Sequence, residues 1–273
     1  MSVSRIKSIV IAALVLVNAF FLTIIIINAY ADAMDERQAI ENICTIFQSN
    51  GIEIIPESVK TAGAIMAMRT SREVELEANI ANALLGQVDM KDQGFIYLYE
   101  NAERGTAEFH SGGDFEIRLY EGIITYADDP VKTVRGLLKN MKLDASVSTI
   151  SDAPDNETIT VVNKYKGTSI LNCTIDFIFN GNSLRIVRGR YVTGIEPAVD
   201  GAEISLMGTA LLKFLAALKN GDIAYERITG VQPGYWYSDV SSFGEGAITP
   251  IWFVTTDSGQ YIIDSALGEI RAV

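Results

Sequence analysis

The sequence predicts an α+β protein: a single N-terminal transmembrane helix followed by extracytoplasmic modules in which an antiparallel sheet packs against a helix. Three observations predict this class. One uncharged apolar run lies near the N-terminus, and segments with helical spacing of apolar residues recur along the rest of the chain. Strand-like stretches follow each of these segments, separated by turns rich in Gly, Asn and Asp.

The apolar run extends from Ser8 to Ala31 and contains 24 residues without a charged side chain. As a helix it would be about 36 Å long at ~1.5 Å per residue, enough to cross a hydrocarbon core of about 30 Å. Arg5 and Lys7 precede the run, and acidic residues follow it. The positive-inside rule therefore predicts a cytoplasmic N-terminus, with residues 32–273 outside the cell membrane.

A cleaved signal peptide is the alternative, because Ala29-Tyr30-Ala31 has the form of a cleavage site. The apolar core from Ile9 to Ile27 is longer than the roughly 7–15 residues usual for a signal peptide. This length favours a retained anchor, while cleavage after Ala31 stays open at the level of the sequence.

The body outside the predicted anchor is acidic. Arg5 and Lys7 are two of the 22 basic residues, so the body has 20 basic residues against all 34 acidic ones, a net charge of −14. That charge argues against nucleic acid as a partner and against a body that lies flat on anionic lipid. The single histidine, His110, disfavours histidine-based catalysis and His-rich metal sites.

Cysteines and acidic residues suggest no further chemistry. Cys44 and Cys173 lie far apart in apolar runs, which favours two buried free thiols over a disulfide. Asp152, Asp155 and Glu157 share one segment but miss the D-x-D-x-D-G spacing of a calcium loop. No G-x-S-x-G motif occurs. We therefore expect no enzyme, no cofactor and no metal site.

Residues 1–33 are expected to hold the short cytoplasmic start and the anchor, and residues 34–127 a first α+β module. This module begins with a helix over residues 35–49 and a short strand at Ile52–Ile55. Thr70–Glu73 has the form of a capping box and opens a second helix. Three predicted strands follow that helix: Gly94–Glu100, Thr106–His110 and Phe115–Tyr120.

A second α+β domain is expected over residues 128–273, made of two related helix-plus-strands units, 128–196 and 197–273. Asp129-Pro130 supplies an N-cap and a proline at the first helical position. The polar stretch 148–157 is expected to be a loop. The predicted strands of the first unit are Thr158–Lys164, Ser169–Phe179 and Ser183–Val192.

The last unit begins with a predicted helix at Glu203–Lys219, whose apolar residues line one side. Its predicted strands are Ala224–Val231, Gly234–Asp239, Pro250–Thr256 and Gln260–Asp264. Tyr235, Trp236 and Tyr237 are a candidate exposed interaction surface, because aromatic residues concentrate at interfaces. Burial of alternate aromatic residues in the core is the competing interpretation.

Three segments carry a family resemblance. They are Leu16-Val17-Asn18-Ala19-Phe20-Phe21-Leu22 with its basic start, Tyr97–Leu119, and Pro250–Val254 with Tyr261–Asp264 and Gly268-Glu269-Ile270. Together they resemble the YycH/YycI family of two-component-system regulatory proteins, the YycI type more closely. The closing block also resembles PepSY-type domains.

The resemblance implies a single-pass membrane protein that regulates a cell-wall-related sensor histidine kinase. It also implies contact between the anchor and the kinase's own transmembrane helices, with a YycH-type regulator as a further partner. The alternative is a PepSY-like extracytoplasmic module that binds a peptide, a wall fragment or a protease. These readings differ in which half of the chain carries the activity.

Asn18 is a strongly polar side chain within the predicted anchor. In lipid its amide is best satisfied by a hydrogen bond across to another helix. Asn18, Ala12, Ala19 and Thr23 are therefore candidate contacts to a partner's transmembrane helix. A local or water-mediated hydrogen bond of Asn18 is the competing interpretation.

Replacing Asn18 by leucine is expected to weaken association with the partner helix by ~0.6–2 kcal/mol, because the interhelical hydrogen bond is lost. Membrane insertion should be unchanged, since leucine is more apolar than asparagine. Site-directed crosslinking or a membrane two-hybrid assay measures the association, and an unchanged signal would contradict the hypothesis.

Overall fold

The computed structural model describes a mixed α+β fold in which a large sheet dominates. The described residues are 18, 34, 36–62, 65–153, 156–198, 203–239, 245–265 and 267–273. Within them lie four helices longer than one turn: α1 (36–49), α2 (Val74–Leu85), α3 (Pro130–Met141) and α4 (Met207–Asn220). The predicted α+β class is confirmed at this level.

The strands of the described residues, in chain order, are β1 (Glu53–Ile54), β2 (Met68–Thr70), β3 (Asp89–Asp92), β4 (Ile96–Asn101), β5 (Gly105–His110), β6 (Asp114–Leu119), β7 (Ala145–Ala153), β8 (Asn156–Tyr165), β9 (Thr168–Asn180), β10 (Ser183–Arg190), β11 (Glu196–Pro197), β12 (Arg227–Asp239), β13 (Gly246–Thr256), β14 (Gln260–Asp264) and β15 (Ile270–Ala272). A single 3₁₀ turn, Pro56–Ser58, follows β1. Helices α2, α3 and α4 are each followed by a run of antiparallel strands.

None of the described helices has both the length and the apolar character that crossing a membrane requires. The predicted anchor, Ser8–Ala31, lies outside the described residues except for Asn18.

The strands form one hydrogen-bonded network with two parts. The first part runs in the order β3-β4-β5-β6-β10-β9-β8-β7, and all of its neighbours are antiparallel. The second part is built on β12 and β13, with β1, β2, β11, β14 and β15 beside them. The two parts meet where Tyr235 of β12 pairs in parallel with Ile170 of β9.

Three apolar cores lie against this network. The first core packs α2 and α3 on the eight-stranded part, with Leu84 and Phe177 fully buried. The second packs α1 and α4 on β12–β14, around Phe47 and Trp252. The third and smallest lies at the meeting point of the two parts and includes Cys173.

The predicted start of α3 is confirmed in atomic detail. Asp129 occupies the N-cap, and its carboxylate accepts hydrogen bonds from the backbone N–H groups of Val131 at 2.8 Å and Lys132 at 3.2 Å. Pro130 is the first helical residue, where its missing N–H costs no hydrogen bond. Helix α3 ends at Met141, and the C-cap residue Lys142 has a left-handed backbone (φ 57°).

The predicted capping box of α2 is wrong. Its N-cap is Glu73, without a side-chain capping bond, and Thr70 instead belongs to β2, where it pairs with Gly246. Arg72 donates to the Glu77 carboxylate at 2.7 and 2.9 Å. The long-range pairing of β2 therefore prevails over the local capping pattern.

The predicted loop at 148–157 is also wrong, because the described residues of this stretch belong to the paired antiparallel strands β7 and β8. Polar residues are tolerated here since β7 lies at the end of the sheet order and is largely exposed. The short strands β3 and β15 were not predicted; β3 is exposed throughout and lacks the alternation that marks a half-buried strand.

Residues of the predicted first module, 34–127, contribute to two cores. Helix α1 and β1 pack with α4 in the second core, whereas α2 and β4–β6 pack in the first. Helix α1 thus packs with the last part of the chain, because its buried apolar residues share the second core with those of α4.

Replacing Asp129 by alanine is expected to lower the free energy of unfolding by about 0.5–2 kcal/mol, because two N–H groups of the first turn lose their acceptor. Urea unfolding of the purified protein, followed by circular dichroism, measures the change. Asp128→Ala removes the same charge one residue earlier and is the matched control. An equal loss in the two variants would contradict the capping role.

Candidate functional site

An apolar groove of about 500 Å³ lies between the start of α1, residues 61–62 and the first turn of α4. Its floor includes Trp252, which is buried, and its wall includes Ile204. The indole Nε1 of Trp252 donates to the carbonyl of Ser205 at 2.8 Å, and this bond fixes the chain where it enters α4. The groove therefore has a rigid floor.

The rim of the groove exposes large apolar side chains. Leu206 is 80% exposed and Leu212 is 45% exposed. Leu206 is also the N-cap residue of α4 and provides no side-chain capping bond. Apolar side chains clustered beside a groove mark a surface that binds another apolar surface.

One carboxylate borders this apolar surface. Glu36, at the start of α1, accepts a hydrogen bond from the Thr61 hydroxyl at 3.2 Å. Glu36 follows Ala31, the end of the predicted anchor, by five residues, which span at most about 18 Å of extended chain. The groove therefore lies close to where the chain would leave the membrane if the anchor is retained.

The aromatic segment proposed as an exposed surface has a different environment. Tyr235 and Tyr237 are each only 4% exposed and belong to the third core, and Trp236, on the opposite face of β12, is half-buried. Strand alternation explains this placement, because the face of β12 that carries Tyr235 and Tyr237 packs into the third core. The expectation of an exposed surface is corrected for both tyrosines.

Tyr237 is the centre of a polar cluster. Its hydroxyl donates to Asp239 Oδ1 at 2.7 Å, and the Arg190 guanidinium lies 5.0 Å from its ring centre. Arg190 also pairs with Asp114, with Nε to Oδ1 at 3.0 Å, and lies 3.7 Å from Asp239 Oδ2. Burial and the hydrogen bond to Asp239 raise the pKa of Tyr237. The members satisfy one another, so the cluster is a structural connection.

A narrow cleft beside this cluster has room of only about 30 Å³. Arg72 lines it, but its guanidinium is bound to Glu77, donates to the Phe109 carbonyl at 3.0 Å and lies 4.2 Å from the ring centre of Tyr97. A cavity of this size holds about one water molecule. The cleft therefore suits a structural role better than a ligand.

The predicted anchor contacts are only partly described. Asn18 is helical and exposed, and Ala12, Ala19 and Thr23 lie outside the described residues. Among the described residues, no group of His, Cys, Asp and Glu is arranged to hold a metal ion.

The groove was not predicted from the sequence, although a signal for it exists. Leu206 and Leu212 both lie off the apolar stripe by which α4 packs on the sheet. Large apolar residues outside the stripe of an amphipathic helix indicate a second contact surface. The sequence alone did not show that α1 and residues 61–62 enclose this surface.

Comparison with known proteins relates the fold to solved structures. No family model matches the chain, and no curated protein matches it in sequence. An uncharacterized protein from Eubacterium rectale has a TM-score of 0.50 and 12% identity, covering 81% of this chain and 90% of that one. The C-terminal domain of Bacillus megaterium YpeB has a TM-score of 0.37 and 9% identity, covering 75% and 99%. The first likeness concerns the fold alone, and the second is too distant to support an argument.

Both cysteines are expected to be unreactive in the folded protein. Cys44 and Cys173 are buried free thiols, as predicted, and burial raises the pKa of Cys173 from 9.0 to about 12. Because the unfolded thiol ionises first, its contribution to stability is present below pH 9 and is lost as the pH rises from 9 towards 12.

A chromogenic disulfide reagent at pH 8 should therefore label the folded protein only slowly and label both thiols at once in urea. Cys173→Ala, followed through the same alkaline range, separates the contribution of this thiol from that of the buried tyrosines. Immediate labelling of one equivalent in the folded state would contradict the burial of these thiols.

Proposed function

We propose that this protein is a membrane-anchored extracytoplasmic regulator of a cell-wall-related two-component sensor histidine kinase, similar to the YycI type of the YycH/YycI family. In this proposal residues 8–31 are a retained anchor, and residues 32–273 lie outside the cell membrane. The partners are the kinase's transmembrane helices and a YycH-type regulator.

The observation that carries the proposal is the position of the apolar groove. Its rim, Leu206 and Leu212, is exposed, and its α1 wall begins at Glu36, a few residues after the predicted anchor. A kinase helix that contacts the anchor within the membrane would reach the groove on continuing outwards. The anchor and the groove would then act as one continuous contact surface.

The charge of the body suggests the character of that helix. A net charge of −14 outside the anchor and a carboxylate at the groove rim favour a segment with an apolar stripe and flanking basic residues. Opposite charges would orient the two proteins, and burial of the apolar stripe would supply most of the affinity.

Regulation of this kind needs binding but no catalysis. A regulator shifts a kinase between two signalling states only by the difference in its affinity for those states. A groove beside the membrane is suited to this task, because movements of the kinase's transmembrane helices would change the segment presented to it.

The second candidate function is a PepSY-like module that binds a peptide, a wall fragment or a protease. The groove volume of about 500 Å³ supports this second candidate function, because pockets that bind small ligands are typically about 300–1,000 Å³. In this case the body alone would carry the activity, and the anchor would serve only to hold it at the membrane.

The double variant Leu206→Asp/Leu212→Asp tests the groove in the full-length protein. Losing two apolar contacts of ~1.5–3 kcal/mol each should weaken association with the kinase at least about tenfold. Co-reconstitution in lipid vesicles allows binding and kinase autophosphorylation to be measured on one sample. Leu267→Asp alters a leucine that is 71% exposed and does not line the groove, and it is the matched control.

A second variant separates the two candidate functions. Replacing residues 8–31 by an unrelated transmembrane helix should reduce kinase regulation if the anchor is part of the contact surface. Full regulation with the unrelated helix, combined with loss of regulation in the groove variant, would favour the binding module. Regulation unaffected by either change would contradict both candidates.

A further inference from the structure

The two ends of the eight-stranded part of the sheet differ in character. Strand β3, at one end, has four residues, of which Asp89, Lys91 and Asp92 are charged. Strand β7, at the other end, has nine residues, contains no proline and no basic residue, and has one charged residue, Asp152. Natural sheets protect exposed edges with short strands, charges and prolines. The β3 end is protected in this way and β7 is not.

The outer side of β7 is open in the described part of the chain, where β7 pairs with β8 alone. A bulge lies between Val147 and Thr149, and regular pairing follows, with Ile150 opposite Ile159. Ile159 is fully buried in the first core, and Ile150, on the same face of the sheet, is 53% exposed. Ile150 therefore extends the apolar face outwards, and no described strand lies beyond it.

We propose that β7 pairs with β7 of a second copy of this chain, antiparallel, around a twofold axis at Ile150. This register places Ile150 opposite Ile150 of the second copy. It also places Thr149 opposite Ser151, and Ser148, the extra residue of the bulge, opposite Asp152. Apolar residues then meet each other, and hydroxyl-bearing residues meet polar ones, which are favourable cross-strand pairs.

Charge and side-chain type select this register. An axis at Ser151 would place Ile150 opposite Asp152, and an axis at Asp152 would place two carboxylates opposite each other. An axis at Thr149 would place Ile150 opposite Ser148. The axis at Ile150 is the register among these four that pairs apolar with apolar and keeps each Asp152 opposite an uncharged residue.

A second copy fits this edge better than an unrelated extended peptide. A twofold pair must be self-complementary, and residues of Ser148–Asp152 equally far from Ile150 carry side chains that are compatible when they face each other. The bulge at Ser148 limits the regular ladder to a few residues, so we expect a reversible dimer. This inference does not rest on the proposed function.

Cysteine crosslinking of the full-length protein tests the axis. Opposing residues of antiparallel strands have Cα atoms about 4.5–5.5 Å apart, which suits a disulfide. The I150C variant is expected to form a covalent dimer on mild oxidation. M90C, at the β3 edge, is the matched control, because Met90 is 52% exposed and Ile150 53%. Wild type, whose two cysteines are buried, gives the background.

A charge at the axis gives an independent test. I150K would place two ammonium groups opposite each other, so light scattering should show the dimer of wild type replaced by monomer, whereas M90K should dimerise as wild type does. Unfolding curves of both variants check that they fold. Wild type that is monomeric at every concentration, I150C that crosslinks no more than M90C, or I150C that crosslinks to another protein instead of to itself would each overturn the proposal.

Discussion

The side-chain amide of Asn172 holds together the two parts of the sheet. It accepts from the backbone N–H of Tyr237 and donates to the carbonyl of the same residue, both at 2.8 Å. The ladder between β9 and β12 at this point is one parallel pair, Tyr235 with Ile170. The amide thus adds two hydrogen bonds between β9 and β12 beyond their single backbone pair, next to the third core, which also packs the two parts together.

Burial around the Asn172 amide explains why Tyr237 is surrounded by a cluster of polar side chains. Tyr237 brings a hydroxyl into the third core, and a buried hydroxyl without a partner would cost about 1–3 kcal/mol. Asp239 accepts the hydrogen bond from this hydroxyl. The positive charge of Arg190 balances the carboxylates of both Asp239 and Asp114. Tyr237 is therefore enclosed by its own polar partners, and the surfaces open to partners lie elsewhere, at the α1–α4 groove and at the β7 edge.

Sequence patterns correctly predict those parts of the fold that depend on residues close together in the chain. Asp129 caps α3 as predicted, because the carboxylate and the N–H groups that it accepts from lie two or three positions apart. The start of α2 was mispredicted, because Thr70 pairs with Gly246, far away in the chain. For the candidate site, the only sequence signal is that Leu206 and Leu212 lie outside the apolar stripe by which α4 packs on the sheet. Helix α1 and residues 61–62, which complete the groove, come from distant parts of the chain and are placed there by the packing of the second core.

Composition and periodicity were sufficient to predict the class of the protein: an uncharged run long enough to span a bilayer, an acidic remainder of the chain, buried thiols, and helices followed by antiparallel strands. These signals depend on residues close together in the chain. Packing between distant segments sets which apolar side chains remain exposed and which edge of the sheet stays open. Tyr235 is buried while Leu206 and Ile150 are exposed, because burial depends on which distant strand or helix packs against a residue, and no local pattern encodes that partner.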